Sequence, residues 1–209
     1  MIKPIISRNS KTAGDALREV FSKDMIEGDF VLMQGDVVSN LDLSKVMREH
    51  IERTKKNKKS IMTMVFKKAS PSHATRSLED DTIIVINKEK RLIHFENSPN
   101  SVSIALDPLI VAENDEAEVR YDLIDTRIDI CTKQVLSLFE DNFDYKDIRS
   151  LFIKEVLESE IYGNEIHINI IESEYAARVK DLKTYVSVRF EKSVFWNIHF
   201  FITFLNFWK

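Results

Sequence analysis

The chain has 209 residues, with 30 Lys and Arg against 34 Asp and Glu, a formal net charge of −4, and 44% hydrophobic residues. That length and composition fit one domain with a sizeable core, and the slightly acidic balance excludes a protein that wraps nucleic acid by bulk charge. Four glycines, four prolines and a single cysteine exclude a low-complexity chain, an internal disulfide and a Cys/His zinc cluster.

In chain order, the first eleven residues lack an apolar segment of signal-peptide length, so the cytosol is the expected compartment. Residues 11–28 read as a helix with Leu17, Val20, Phe21 and Met25 on one face, Thr12 capping its start and Gly28 its end. The run Phe30, Val31, Leu32, Met33 stops at Gly35-Asp36 and reads as a strand buried on both faces, followed at once by a helix. Asp36 then sits past the strand's C-terminal end, where ligands bind in open α/β sheets. Residues 42–56 form the next helix, with Leu43, Val46, Met47 and His50 on one side and Asn40 or Asp42 as cap. The basic run 55–59 reads as a solvated helix end whose cations complement the dipole.

Residues 60–66, SIMTMVF, are a second buried strand, and the alternation implies a parallel α/β sheet. Residues 70–81 read as a loop. Short strands follow at 82–87, 91–96 and 102–106, with a hairpin-like NKEK between the first two, so the sheet becomes mixed or antiparallel. Further strands are expected at 119–123 and 127–131. Thr132 caps a helix carrying Val135, Leu136, Leu138 and Phe139; the stretch 141–145 breaks it; a helix over 148–158 turns Leu151, Phe152, Val156 and Leu157 inward. Ile166, Ile168 and Ile170 alternate with polar residues in a half-buried strand, placing His167 on its outward face.

Several residues invite a functional reading. Asp36 either caps its turn or, with Asp122 or Asp125, holds a divalent cation for a nucleotide. No GxGxxG or GxxxxGK[ST] loop is present, so either phosphates are not bound that way or an opening strand and loop are missing. In Ser70-Pro71-Ser72-His73-Ala74-Thr75-Arg76, a loop stapled by its own hydrogen bonds is favoured over a Ser/His nucleophile. Asn142-Phe143-Asp144 is either a capping turn with Phe143 packed inward or, with Phe143 exposed, an interface anchor. Cys131 reads as a small core residue.

Both tryptophans, Trp196 and Trp208, and six of the thirteen phenylalanines fall in the last twenty residues, with no clean helical or strand period. A membrane span needs about 20 apolar residues, and Asn197, His199 and Asn206 interrupt this stretch. Its composition is that of translated AT-rich non-coding sequence, and Val186-Ser187 is what an in-frame splice donor encodes. The expected division is therefore residues 1–185 as the domain and residues 186–209 as an aromatic-rich tail from intron read-through.

The stretches FVLMQGDVVSNLDLSKVMREH, MTMVFKKASPSHATR, EVRYDLIDTRIDIC, LFEDNFDY, IYGNEIHINI and YAARVKDLKTY together resemble the epsilon subunit of translation initiation factor 2B, over residues 12–185. SPSHATR and DNFDY carry most of that specificity. The resemblance implies an α/β fold: a truncated Rossmann-like, nucleotidyltransferase-like domain with a mixed sheet, lacking its first strand and phosphate loop. It implies a fragment of a guanine-nucleotide exchange factor acting in translation initiation, serving subunit assembly and GTPase contact, with the exchange domain absent. The implied partners are the other subunits of the factor and the initiator-tRNA-delivering GTPase complex, with no direct nucleic acid, no membrane, no cofactor, no metal and no catalytic residue. Asp36 would be a vestigial cofactor-binding residue, and Asn142, Phe143 and Asp144 the GTPase or subunit contact. The alternative is a sugar-nucleotide pyrophosphorylase using Asp36 and Mg²⁺.

Overall fold

At the centre of the fold lies β3 (Ser60–Lys68), a largely apolar strand whose residues Ile61, Met62, Met64, Val65 and Phe66 are fully buried. This computed structural model describes residues 4–8, 10–70, 72–77, 81–97, 116–159 and 163–194; the strand expected over 102–106 and the tail beyond residue 194 lie outside them. The main sheet joins β1 (Phe30–Met33), β7 (Leu123–Cys131), β3 and β8 (Glu165–Ile171), in that order. β7 runs antiparallel to both β1 and β3, and β8 parallel to β3, which makes the sheet mixed. The expected parallel relation of β1 and β3 holds in direction, but β7 inserts between them.

Three expectations for the opening segment are corrected. β1 is only half-buried, because among the described residues β7 is its one strand neighbour. After Gly35-Asp36 the chain forms β2 (Val37–Ser39), paired with β9 (Ala176–Arg178), before α2 (Leu43–Lys56) starts at the Asp42 cap. And α1 (Ala13–Ser22) starts at the Thr12 cap as read, with Asp15 completing a capping box, but stops well short of Gly28. Asp24 takes the left-handed conformation there (φ 45°), which turns Met25 out to solvent.

The sheet is covered on two sides. Met62, Met64 and Phe66 pack with Leu17 of α1, Phe139 of α3 (Lys133–Asp141) and Ile153 of α4 (Ile153–Glu158). Val65, Ile128 and Ile130 pack instead with Val46 of α2. A smaller sheet of β4 (Thr82–Asn87), β5 (Leu92–Asn97) and β6 (Ala117–Arg120) forms the excursion, with β4 and β5 the expected hairpin. Cys131, at the end of β7, is fully buried, and burial pushes its thiol well up from its ordinary value.

The residues read as two strands at 119–123 and 127–131 divide elsewhere. β7 is continuous from Leu123, and Arg127, at φ 57°, kinks it where its pairing with β3 slips. The kink aims Asp125 and Asp129 at Arg149. That arginine lies in a π-helical turn (Ile148–Phe152) capped by Asp147 and leading into α4. Its Nε and Nη2 donate to Asp125 at 2.6 and 2.9 Å, and Nη1 and Nη2 to Asp129 at 2.8 and 2.8 Å. All three side chains are buried. Burial opposes the charge on Asp125, but Arg149 and Arg127 more than offset it and hold the carboxyl low. For Asp129, burial and the neighbouring Asp125 win, and its pKa is raised. The wide turn also shifts the helical phase, so Leu151 is exposed rather than inward.

His167 is likewise corrected. It is buried beside β3, with Nδ1 3.1 Å from Ser60 Oγ, rather than outward. The loop 72–77 is stapled as expected: Arg76 Nη2 donates to the carbonyls of Ala69, Tyr121 and Leu123, and His73 Nδ1 meets Thr75 Oγ1 rather than a serine. Across this loop lies α5 (Leu182–Val194), which runs through residue 185 and packs Val188 on Val38 and Ala177. Among the described residues no helix is long and apolar enough to cross a membrane.

Replacing Arg149 with leucine strands two carboxylates in the core. We expect a loss of about 3–5 kcal/mol in urea unfolding; a loss below about 1 kcal/mol would show that the triad contributes little. Burial, then the charges of Arg53, Arg91 and His50, depress His167 from 6.5 to about 4. The unfolded chain therefore takes up the proton first, and this stability is full above about pH 6.5 and lost as pH falls toward 4. Between pH 7 and 5 the expected loss is about 2 kcal/mol. His167→Gln should flatten that slope, with the buried His50, also depressed by burial, accounting for part of what remains.

Candidate functional site

The sequence Asn142-Phe143-Asp144 forms the turn between α3 and the π-helical turn, and α1 fixes its position. Arg18 of α1, itself buried, donates through Nη1 to the carbonyls of Phe139 (3.0 Å), Asn142 (3.3 Å) and Tyr145 (3.4 Å). A guanidinium here satisfies carbonyls that the end of α3 leaves unpaired. Arg18 Nη2 pairs with Asp15 at 2.8 Å, and that guanidinium, with the backbone N–H of Lys11, holds the Asp15 carboxyl well below the usual range. The Gly14 N–H donates to Lys146 O at 2.8 Å, and α1 approaches so closely that a Cβ on Gly14 would lie 1.9 Å from Tyr145 O.

From the other side the turn is held by Glu155 of α4, whose Oε2 accepts from Tyr145 Oη (2.7 Å) and Asn142 Nδ2 (3.2 Å). Asn142 Oδ1 accepts from the Asp144 N–H at 3.0 Å. Tyr145 packs edge-on against Phe139 and Phe152. It is therefore Tyr145 that goes inward. Phe143 is 73% exposed, with the Arg18 guanidinium 5.2 Å from its ring centre. Asp147, not Asn142 or Asp144, caps the following helical turn. The exposed ring borders a shallow groove that also takes in Asp15, Glu19 and Glu140. The arrangement is a rigid apolar anchor in an acidic setting, suited to binding rather than to bond chemistry.

Asp36 lies where the sequence places it, past β1, and its Oδ2 accepts from Arg178 Nη2 (2.7 Å) and Nε (3.1 Å). Its Oδ1 is buried and makes no hydrogen bond among the described residues, and the guanidinium alongside opposes a second cation. Asp125 is held by Arg149, and Asp122 by Arg120 at 2.6 Å. Among the described residues no three His, Cys, Asp or Glu side chains come together as a metal site. The three carboxylates, each turned to an arginine, do not fit a magnesium centre. Sequence reasoning missed Gly14, Arg18 and Glu155. The available signal was Gly14 itself, a poor helix former within a capped first turn.

No protein-family model matches the chain. It is 45% identical over 189 residues to translation initiation factor eIF2B subunit epsilon of Schizosaccharomyces pombe, covering 90% of this chain and 28% of that protein. It is 45% identical over 181 residues to the subunit of the same name in Dictyostelium discoideum, covering 86% and 26%. The chain thus spans about a quarter of the length of these relatives. Among solved structures it is similar to a CMP:2-keto-3-deoxy-manno-octonic acid synthetase complexed with CTP (TM-score 0.53, 15% identity, 89% of this chain and 68% of that one). It is also similar to the inositol-1-phosphate CTP transferase from T. maritima (TM-score 0.51, 14% identity, 90% and 65%). These likenesses establish a nucleotidyltransferase-like fold.

Gly14→Ala would force the turn away from α1. We expect a destabilised chain with a lower melting temperature; an unchanged melting temperature would mean that the close approach is dispensable.

Proposed function

Because this chain is homologous to eIF2B subunit epsilon, we propose that it acts in translation initiation as the nucleotidyltransferase-like part of such a subunit, in the cytosol. The proposed unit is residues 1–185, with residues 186–209 as an aromatic-rich segment that begins within α5. Its role is to hold the other subunits of the exchange factor and to present a contact to the initiator-tRNA-delivering GTPase complex. The observation that carries this reading is the exposed Phe143 on a turn braced from two sides by Arg18 and Glu155. An aromatic side chain of low rotamer entropy on a rigid support is the kind of residue that dominates an interface.

The fold then serves as a platform rather than a catalyst. Support comes from Asp36, Asp122 and Asp125, the carboxylates a sugar-nucleotide pyrophosphorylase would offer to Mg²⁺, each of which is engaged by an arginine. The loop 72–77, held to both sheets by Arg76, serves as a structural or subunit-contact loop.

Phe143→Ala is the direct test. Binding to the GTPase complex should weaken by about tenfold or more, with the melting temperature within a degree or two of the unaltered chain. Retained affinity would remove Phe143 from the contact. Metal-dependent release of pyrophosphate from a nucleoside triphosphate and a sugar phosphate would overturn the platform reading.

A further inference from the structure

Two basic runs that are separate in sequence are brought close together at the start of β8. The first closes α2 and carries the exposed Lys55, Lys56, Lys58 and Lys59; the second is the β4–β5 turn, with the exposed Lys88 and Lys90. The start of β8 ties them together. The Glu165 N–H donates to Lys59 O at 2.7 Å, and the Ile168 N–H to Lys90 O at 2.9 Å. The Glu165 carboxylate accepts from Asn57 Nδ2 at 2.8 Å and from Arg91 Nη1 at 3.4 Å. None of the six lysines is in an ion pair among the described residues; Glu165, between the runs, is committed to its own partners, and Glu89, exposed between Lys88 and Lys90, is the one carboxylate within the runs against the six cations.

A helix dipole accounts for cations at the end of α2, but not for Lys88 and Lys90, which lie on a hairpin. We propose that these six lysines form one docking surface for a carboxylate-rich segment of a partner protein. The chemistry favours carboxylates over nucleic acid. Of the arginines of this region, whose planar forks suit phosphate, Arg53 donates to Thr63 Oγ1 at 2.9 Å and Arg91, though partly exposed, is paired with Glu165 at 3.4 Å. Neither run exposes a large apolar or aromatic side chain on which a base would stack. What remains is an array of flexible point charges, matched to an extended acidic segment.

The test is fluorescence anisotropy with the full chain and a labelled octaglutamate peptide, alongside a labelled eight-nucleotide single-stranded RNA. The peptide should bind, more weakly as salt rises. Its dissociation constant should rise by about tenfold or more in both K55E/K56E/K58E/K59E and K88E/K90E. Should a reversal variant fail to fold, the corresponding lysine-to-glutamine set carries the test, with a smaller loss expected. Absence of peptide binding, or full affinity in either variant set, would overturn the proposal. Tighter binding of the RNA than of the peptide would overturn the carboxylate assignment.

Discussion

The interaction on which the architecture turns is the arginine buried between two aspartates. Arg149 reaches from the helical layer into the sheet, and both carboxylates that receive it lie on β7, the strand that joins β1 to β3. Bringing three charges out of water is costly, and good geometry with most donors engaged is what makes it tolerable. Here four short hydrogen bonds use four of the five guanidinium donors. The pair arrangement also fixes orientation: the fork accepts β7 and the π-helical turn in one relative position only. Because that turn follows residues 142–147, the same anchor sets where Asn142, Phe143 and Asp144 emerge.

A second constraint acts at the other end of that segment. Arg18 collects the carbonyls at the close of α3, and Gly14 lets α1 come within backbone contact of the turn. Between the two, Tyr145 fills the space against Phe139 and Phe152. Phe143 has no room on the inside, so the exposure of a large ring follows from how its neighbours are packed. A nucleotidyltransferase-like sheet is here combined with carboxylates engaged by arginine and a helical corner presenting an aromatic.

Much of the fold was legible because its signals are local. Apolar runs such as SIMTMVF, the Thr12 cap and the NKEK hairpin state their structure within a few residues, and β3, α1's start and the β4–β5 pair appeared as read. The failures were non-local. Whether FVLM lies inside a sheet or at its margin depends on which strand sits beside it, and His167 is buried by β3, far away in sequence. Asp125 was open to a reading as a second carboxylate beside Asp36, whereas it faces Arg149; an ion pair across twenty-odd residues leaves no periodic trace. For the site, the motif at 142–144 was found, while the residues that shape it, Gly14, Arg18 and Glu155, were not. They act through backbone carbonyls and a shared carboxylate, which spacing does not reveal.

Cys131 gives this chain an internal clock. It is the single cysteine, buried where β7 pairs with Phe30 on one side and Met62 on the other. A thiol reagent can reach it only after the sheet has parted at that point, and its thiol, unreactive while buried, becomes an ordinary one once exposed. The rate of alkylation under native conditions therefore reads the opening of the sheet at that one position, rather than as an average over the molecule. Any partner that seats on the platform and steadies it would slow that clock, without a label having to be introduced.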